Sequence, residues 1–164
     1  MPSSRSKILQ VTLLSTLTLP PAAFCVTGSE IRFERLGVEH GLSENTVFAI
    51  HQDINGFMWF GTENGLNRYD GYHFTVYRHN TLDSQSISIN NAPQIFEDRS
   101  GTLWIRGPNG NDLNRFDRKS ERFTPCLSNF DVTSIYEDAH GTLWFATRRK
   151  GLFRYDAATG KFVH

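Results

Sequence analysis

The chain has 164 residues, with 17 basic and 17 acidic side chains and no net formal charge. That length suits one domain, and the neutral balance excludes both a nucleic-acid binder held by a dense basic field and a strongly charged disordered tail. Two cysteines exclude a disulfide framework, and 13% aromatic residues with 13 glycines favour strands and turns over helices.

The amino terminus has the layout of a secretory signal peptide over residues 1–28. Arg5 and Lys7 supply the positive region, Ile8 to Leu19 the mainly apolar stretch, and Pro20-Pro21 the break. The stretch is too short for a membrane span, which takes about 20 residues. Cleavage after Ala23, Cys25 or Gly28 fits equally well. Phe24 is too large for the usual lipoprotein position before Cys25. Export places the remainder in an oxidising, periplasmic compartment, where Cys126 reads as an inert thiol buried in a strand.

After a leading strand over residues 31–36, the chain repeats itself. Trp59, Trp104 and Trp144 stand 45 and 40 residues apart, and Asp53, Asp98, Asp138 and Gly56, Gly101, Gly141 keep the same intervals. Arg68-Tyr69-Asp70, Arg115-Phe116-Asp117 and Arg154-Tyr155-Asp156 follow each tryptophan. Each unit resolves into four short strands. The first is apolar, as in Val47–His51. An Asp-x-x-Gly turn follows, in which the aspartate accepts a backbone N–H and glycine supplies positive φ. The second strand alternates around the tryptophan, the third ends in the Arg-aromatic-Asp triplet, and the fourth begins near Phe74, Arg122 or Phe162.

Four strands per unit at this period predict an all-β fold of β-propeller blades, about 45–79, 90–127 and 131–164, within a partial propeller spanning 29–164. The Trp-Asp and Gly-His pairs of WD-type blades are missing. Propellers close with four to eight blades, so three antiparallel blades form an incomplete propeller with open apolar faces. Such faces invite self-association. The simplest expectation is that the chain is the front part of a longer one.

The first unit carries a specific resemblance. Phe33-Glu34-Arg35-Leu36, Gly41 to Val47, Gln52-Asp53, Gly56 to Thr62 and Gly65 to Gly71 together resemble the start of a two-component regulator propeller. The second unit departs from that pattern at Arg106 to Asp112, and the third carries a basic version at Ala146 to Gly151. The resemblance implies the periplasmic sensor region of a hybrid two-component histidine kinase or a propeller-containing diguanylate cyclase. Such a receptor would sit in the inner membrane if the protein continues beyond His164. It also implies a small-molecule or oligosaccharide ligand and a kinase or cyclase output module, neither of which these residues contain.

No residue pattern points to catalysis or to a cofactor. The six histidines lack metal-ligand spacing. Glu97-Asp98 and Glu137-Asp138 look like paired carboxylates, but recurrence at the blade period marks them as turn chemistry. The recurring arginines read as ion-pair or cation–π partners inside each blade. Recognition is better sought in the loops that vary between blades. There Asn45, Asn91, Arg106 and Arg148 are the candidate ligand-binding residues, suited to hydroxyl or carboxylate groups. The function expected is extracytoplasmic ligand sensing. The alternative is a structural or protein-interaction propeller fragment without signalling output.

Overall fold

The computed structural model describes residues 32–164 apart from Asn111 and Asn129. The signal-peptide region lies outside the described residues. All strands of the described residues lie in the unit Glu34–His164.

The unit is built from three four-stranded antiparallel sheets, each in simple up-and-down order. The first holds β1 (Val47–Gln52), β2 (Met58–Thr62), β3 (Gly65–Tyr69) and β4 (Phe74–Tyr77). The second holds β5 (Gln94–Glu97), β6 (Leu103–Arg106), β7 (Asp112–Asp117) and β8 (Arg122–Ser128). The third holds β9 (Val132–Glu137), β10 (Leu143–Thr147), β11 (Gly151–Asp156) and β12 (Lys161–Val163). These are propeller blades. Of the leading strand expected over residues 31–36, the described residues 32–36 form no strand, and a 3-10 turn at Val38–His40 follows. A fourth-type strand needs the free edge of a third strand, and each described third strand already pairs with its own fourth.

The turn between the first two strands is the same in every blade. Asp53, Asp98 and Asp138 accept the N–H two residues on at 2.9, 3.0 and 2.9 Å. Gly56, Gly101 and Gly141 take φ of 88°, 81° and 80°, the left-handed region that favours glycine. The other carboxylate oxygen accepts the indole N–H of Trp59, Trp104 or Trp144 at 2.7, 2.8 and 2.8 Å. The turn therefore fixes the tryptophan that anchors each blade.

Blade stacking makes the core, and strand register decides which residues enter it. His51↔Trp59↔Arg68 and Phe96↔Trp104↔Arg115 face the following blade. Ile95↔Ile105↔Asn114 and Glu97↔Leu103↔Phe116 face the preceding one. One apolar cluster joins Trp59 and Leu66 to Leu103, Ile105, Phe116 and Phe123. A second joins Trp104 and Leu113 to Ile135, Phe145 and Phe153. The consequence is visible in the tryptophans. Trp59 and Trp104 are 0% and 1% exposed, whereas Trp144 is 36% exposed beside exposed Tyr136, Leu152 and Val163.

Candidate functional site

Antiparallel order divides each blade into two ends. One end carries the Asp-x-x-Gly turns. The other carries the hairpins between second and third strands and the segments that lead into each first strand. Asn45, Asn91, Arg106 and Arg148 all fall at this second end.

Two buried asparagines, which sequence reasoning passed over, shape it. Asn67 and Asn114 are fully buried on the third strands. Asn67 Oδ1 accepts from Ser43 N at 2.9 Å, and its Nδ2 donates to Ser43 Oγ at 2.9 Å. Asn114 repeats both contacts with Ser88, at 3.0 and 2.9 Å. Each clamps the segment that approaches the first strand of a blade. The signal was present in the sequence as the recurring Asn before Arg68 and Arg115.

The approaching backbone also packs tightly against the hairpins. Ala92 N donates to Thr62 O at 3.1 Å and Gly65 N to Asn90 O at 2.6 Å. A Cβ on Gly61 would lie 1.9 Å from Ala92 O, so this position admits only glycine. In the second blade the same register position is Arg106, because Phe60 and Ile105 are matched partners of Asn67 and Asn114. Here the contact is made by a side chain. Arg106 Nη1 donates to Val132 O at 3.2 Å and Nε to Gln94 Oε1 at 2.6 Å. Burial pulls the Arg106 guanidinium below its ordinary value, and Asp131 opposes the shift.

Arg106 and Arg148 bond neighbouring residues, Val132 and Asp131. Arg148 pairs through Nε with Asp131 Oδ2 at 2.9 Å, and its N–H donates to Asp131 O at 2.9 Å. Its side chain is 68% exposed. Guanidinium carries five N–H donors, so both arginines keep donors for another group. Lys150 lies beside them, with Nζ 4.2 Å over the Phe130 ring. Asn91 stands at the previous junction; its Oδ1 is buried without a hydrogen-bond partner among the described residues. Asn45 is exposed, and its Oδ1 accepts from Val38 N at 3.3 Å. The structure thus sets Arg106 and Arg148 on neighbouring residues, and leaves Asn45 and Asn91 at separate junctions. The surface cavities of about 450, 380, 220 and 180 Å³ are lined by other residues.

Arg68 works inside its own blade, over the rings of Phe57, Trp59 and Tyr77, and both Arg68 and Arg115 also work between blades. Arg68 lies over Phe57 at 5.0 Å and pairs with Glu121 of the second blade at 2.6 Å. Arg115 donates to Tyr155 Oη of the third blade at 2.9 Å. Glu97 and Glu137 also work across junctions. Glu97 accepts from Ile54 N at 3.1 Å, and Glu137 accepts from Arg99 N at 2.7 Å. Each caps the turn of the preceding blade. Cys126 is half-buried, donates to Thr124 O at 3.2 Å, and its thiol is pushed up by burial.

Comparison with known proteins agrees with this architecture. The sequence model of the two-component regulator propeller matches residues 41–64 and 127–149. A stretch of 48 residues is 52% identical to histidine kinase P4 of Formosa agariphila, covering 29% of this chain and 4% of the kinase. The extracellular domain assigned to a hybrid two-component system of B. thetaiotaomicron superimposes with a TM-score of 0.67 at 35% identity. That match covers 80% of this chain and 20% of the solved one. The extracellular domain assigned to a one-component system of the same bacterium gives 0.61 at 26% identity, over 76% and 19% of the two chains. The chain therefore spans about a fifth of the extracellular domains it matches. Residues 41–64 and 127–149 are thus similar to two-component regulator propeller repeats, and the repeated blade geometry agrees with that match.

Proposed function

We propose that these blades belong to the extracytoplasmic, non-catalytic sensing part of a signal-transduction receptor. On this reading the loop end of the blades contributes to ligand recognition. The observation that carries the reading is the 35% identity, over 80% of this chain, to the extracellular domain of a hybrid two-component system. Arg106 and Arg148, held on Val132 O and Asp131 with donors to spare, suit the carboxylate or hydroxyl groups of an acidic oligosaccharide or small acid. A histidine kinase or diguanylate cyclase would supply the output.

The test is titration of neutral and acidic oligosaccharides and small carboxylic acids into the purified native protein, followed by thermal shift and calorimetry. Saturable binding that weakens about tenfold or more in Arg148→Ala, roughly 1.4 kcal/mol, is expected. A screen without binders, or binding indifferent to Arg106 and Arg148, contradicts the reading. The exposed side chains of Tyr136, Trp144, Leu152 and Val163 favour a second reading, a protein-interaction surface. Concentration-dependent self-association lost in Trp144→Ser would support it.

A further inference from the structure

The two blade junctions are built alike at the turn end, and the difference between them points to a ligand site. At the first junction Arg118, the residue after the Arg115-Phe116-Asp117 triplet, reaches across to the first blade. Its Nη1 lies 2.6 Å from Asp53 Oδ2, its Nη2 lies 2.6 Å from Glu97 Oε1, and its Nε donates to Gly101 O at 2.6 Å. A turn aspartate, a cross-blade glutamate and a turn-glycine carbonyl thus form a three-point cradle around one guanidinium.

The second junction repeats every element of the cradle. Asp98 stands for Asp53, Glu137 for Glu97 and Gly141 for Gly101. The residue after the Arg154-Tyr155-Asp156 triplet is Ala157 instead of arginine. Asp98, Glu137, Gly141 and Ala157 line a cavity of about 180 Å³ together with Trp104, Tyr155 and Arg115. Asp98 is 7% exposed and the Glu137 side chain 11%. Asp98 has no ion-pair partner among the described residues. Arg99 stays at the rim, 60% exposed and 4.0 Å from Glu137. Arg115 is occupied with Tyr155 Oη, as Arg68 is occupied with Glu121 at the first junction.

We propose that the junction between the second and third blades binds a guanidinium group supplied by a ligand. The carboxylates of Asp98 and Glu137 and the carbonyl of Gly141 take the three contacts that Arg118 makes at the first junction. The acidic pair alone would not carry this; the equivalent residues holding a guanidinium elsewhere in the same chain do. Asp98 already accepts from Ser100, Thr102 and Trp104, and Glu137 from Arg99 N, so the occupant adds the cation that Arg118 supplies at the first junction. The site lies at the opposite end of the blades from Arg106 and Arg148 and does not depend on the proposed function.

The tryptophans supply the readout, because each indole N–H is bonded to its own turn aspartate. Methylguanidinium is titrated into the ¹⁵N-labelled full chain while the three indole signals are followed. Saturable movement of the Trp104 signal, with Trp59 unmoved, is expected. Ala157→Arg, which places the missing arginine in the cavity, should abolish it, and Glu137→Gln should weaken it at least about tenfold. Agmatine and the peptide Gly-Arg-Gly then separate a free guanidino compound from an arginine side chain. No saturable change at Trp104, or an unaltered titration in Ala157→Arg, overturns the proposal.

Discussion

Arg118→Met tests how the first two blades are joined. The substitution keeps a long apolar stem but removes the guanidinium that contacts Asp53, Glu97 and Gly101 O. The Asp53 side chain is 0% exposed and that of Glu97 9%, so both would be left as buried charges with fewer partners. Breaking a buried ion pair costs about 3–5 kcal/mol. Arg118 itself is 22% exposed, which admits some water and brings the expected loss to about 3 kcal/mol. For a domain of this size that corresponds to roughly 10–15 °C in Tm. The assay is urea and thermal unfolding of the full chain against pH. Burial raises the Asp53 carboxyl, but the bonds from Arg118 and Trp59 outweigh it and hold the group below the ordinary aspartate value. Its stabilising contribution is therefore full above the unfolded value near 4 and fades as pH falls through the lower folded value. In the variant, acid neutralises the stranded carboxylate, so the difference from wild type should shrink below about pH 4. A loss under about 1 kcal/mol at neutral pH, or one that does not change with pH, would refute the reasoning.

Four further outcomes follow from the same contacts. Gly61→Ala drives a methyl into Ala92 O and should destabilise by about 3 kcal/mol or more; Gly71→Ala, in open space at φ 98°, should cost only about 1–2 kcal/mol in urea unfolding. Asn114→Ala strands Ser88 N and should cost about 2 kcal/mol, with faster amide exchange at Ser88 than at Phe116. Trp104→Ala should cost about 3–5 kcal/mol, and Trp144→Ala clearly less, because the structure buries the first and exposes the second. Acidification from pH 5 to pH 2 should unfold the chain progressively, since hydrogen bonds hold Asp70, Asp117, Asp138 and Asp156 below the ordinary aspartate value.

The parts of the fold that were legible in sequence are those decided locally. The Asp-x-x-Gly turns could be read because the aspartate bonds an N–H only two residues away and the glycine takes φ near 80–88°. The alternation around each tryptophan gave strand register for the same reason. The roles of Arg118 and Glu97 were not legible. Arg118 meets Asp53 across 65 residues, and Glu97 meets Ile54 across 43, so neither contact leaves a trace in local spacing. The described residues 32–36 form no strand because a pattern of side chains does not supply an edge to pair with. At the loop end, composition singled out Arg106 and Arg148 but could not show that they bond the neighbouring residues Val132 and Asp131. Asn67 and Asn114 were hidden inside a repeat read for its charged residues.

The central claim is that these blades form the extracytoplasmic sensing part of a receptor. The most direct test is an immunoblot of native cells with an antibody raised against residues 34–164, with and without protease treatment of spheroplasts. A band in the envelope fraction, far heavier than 18.7 kDa and degraded when protease reaches the outer face of the inner membrane, is the predicted result. A protease-protected band in the cytosol at or below that mass would contradict the account.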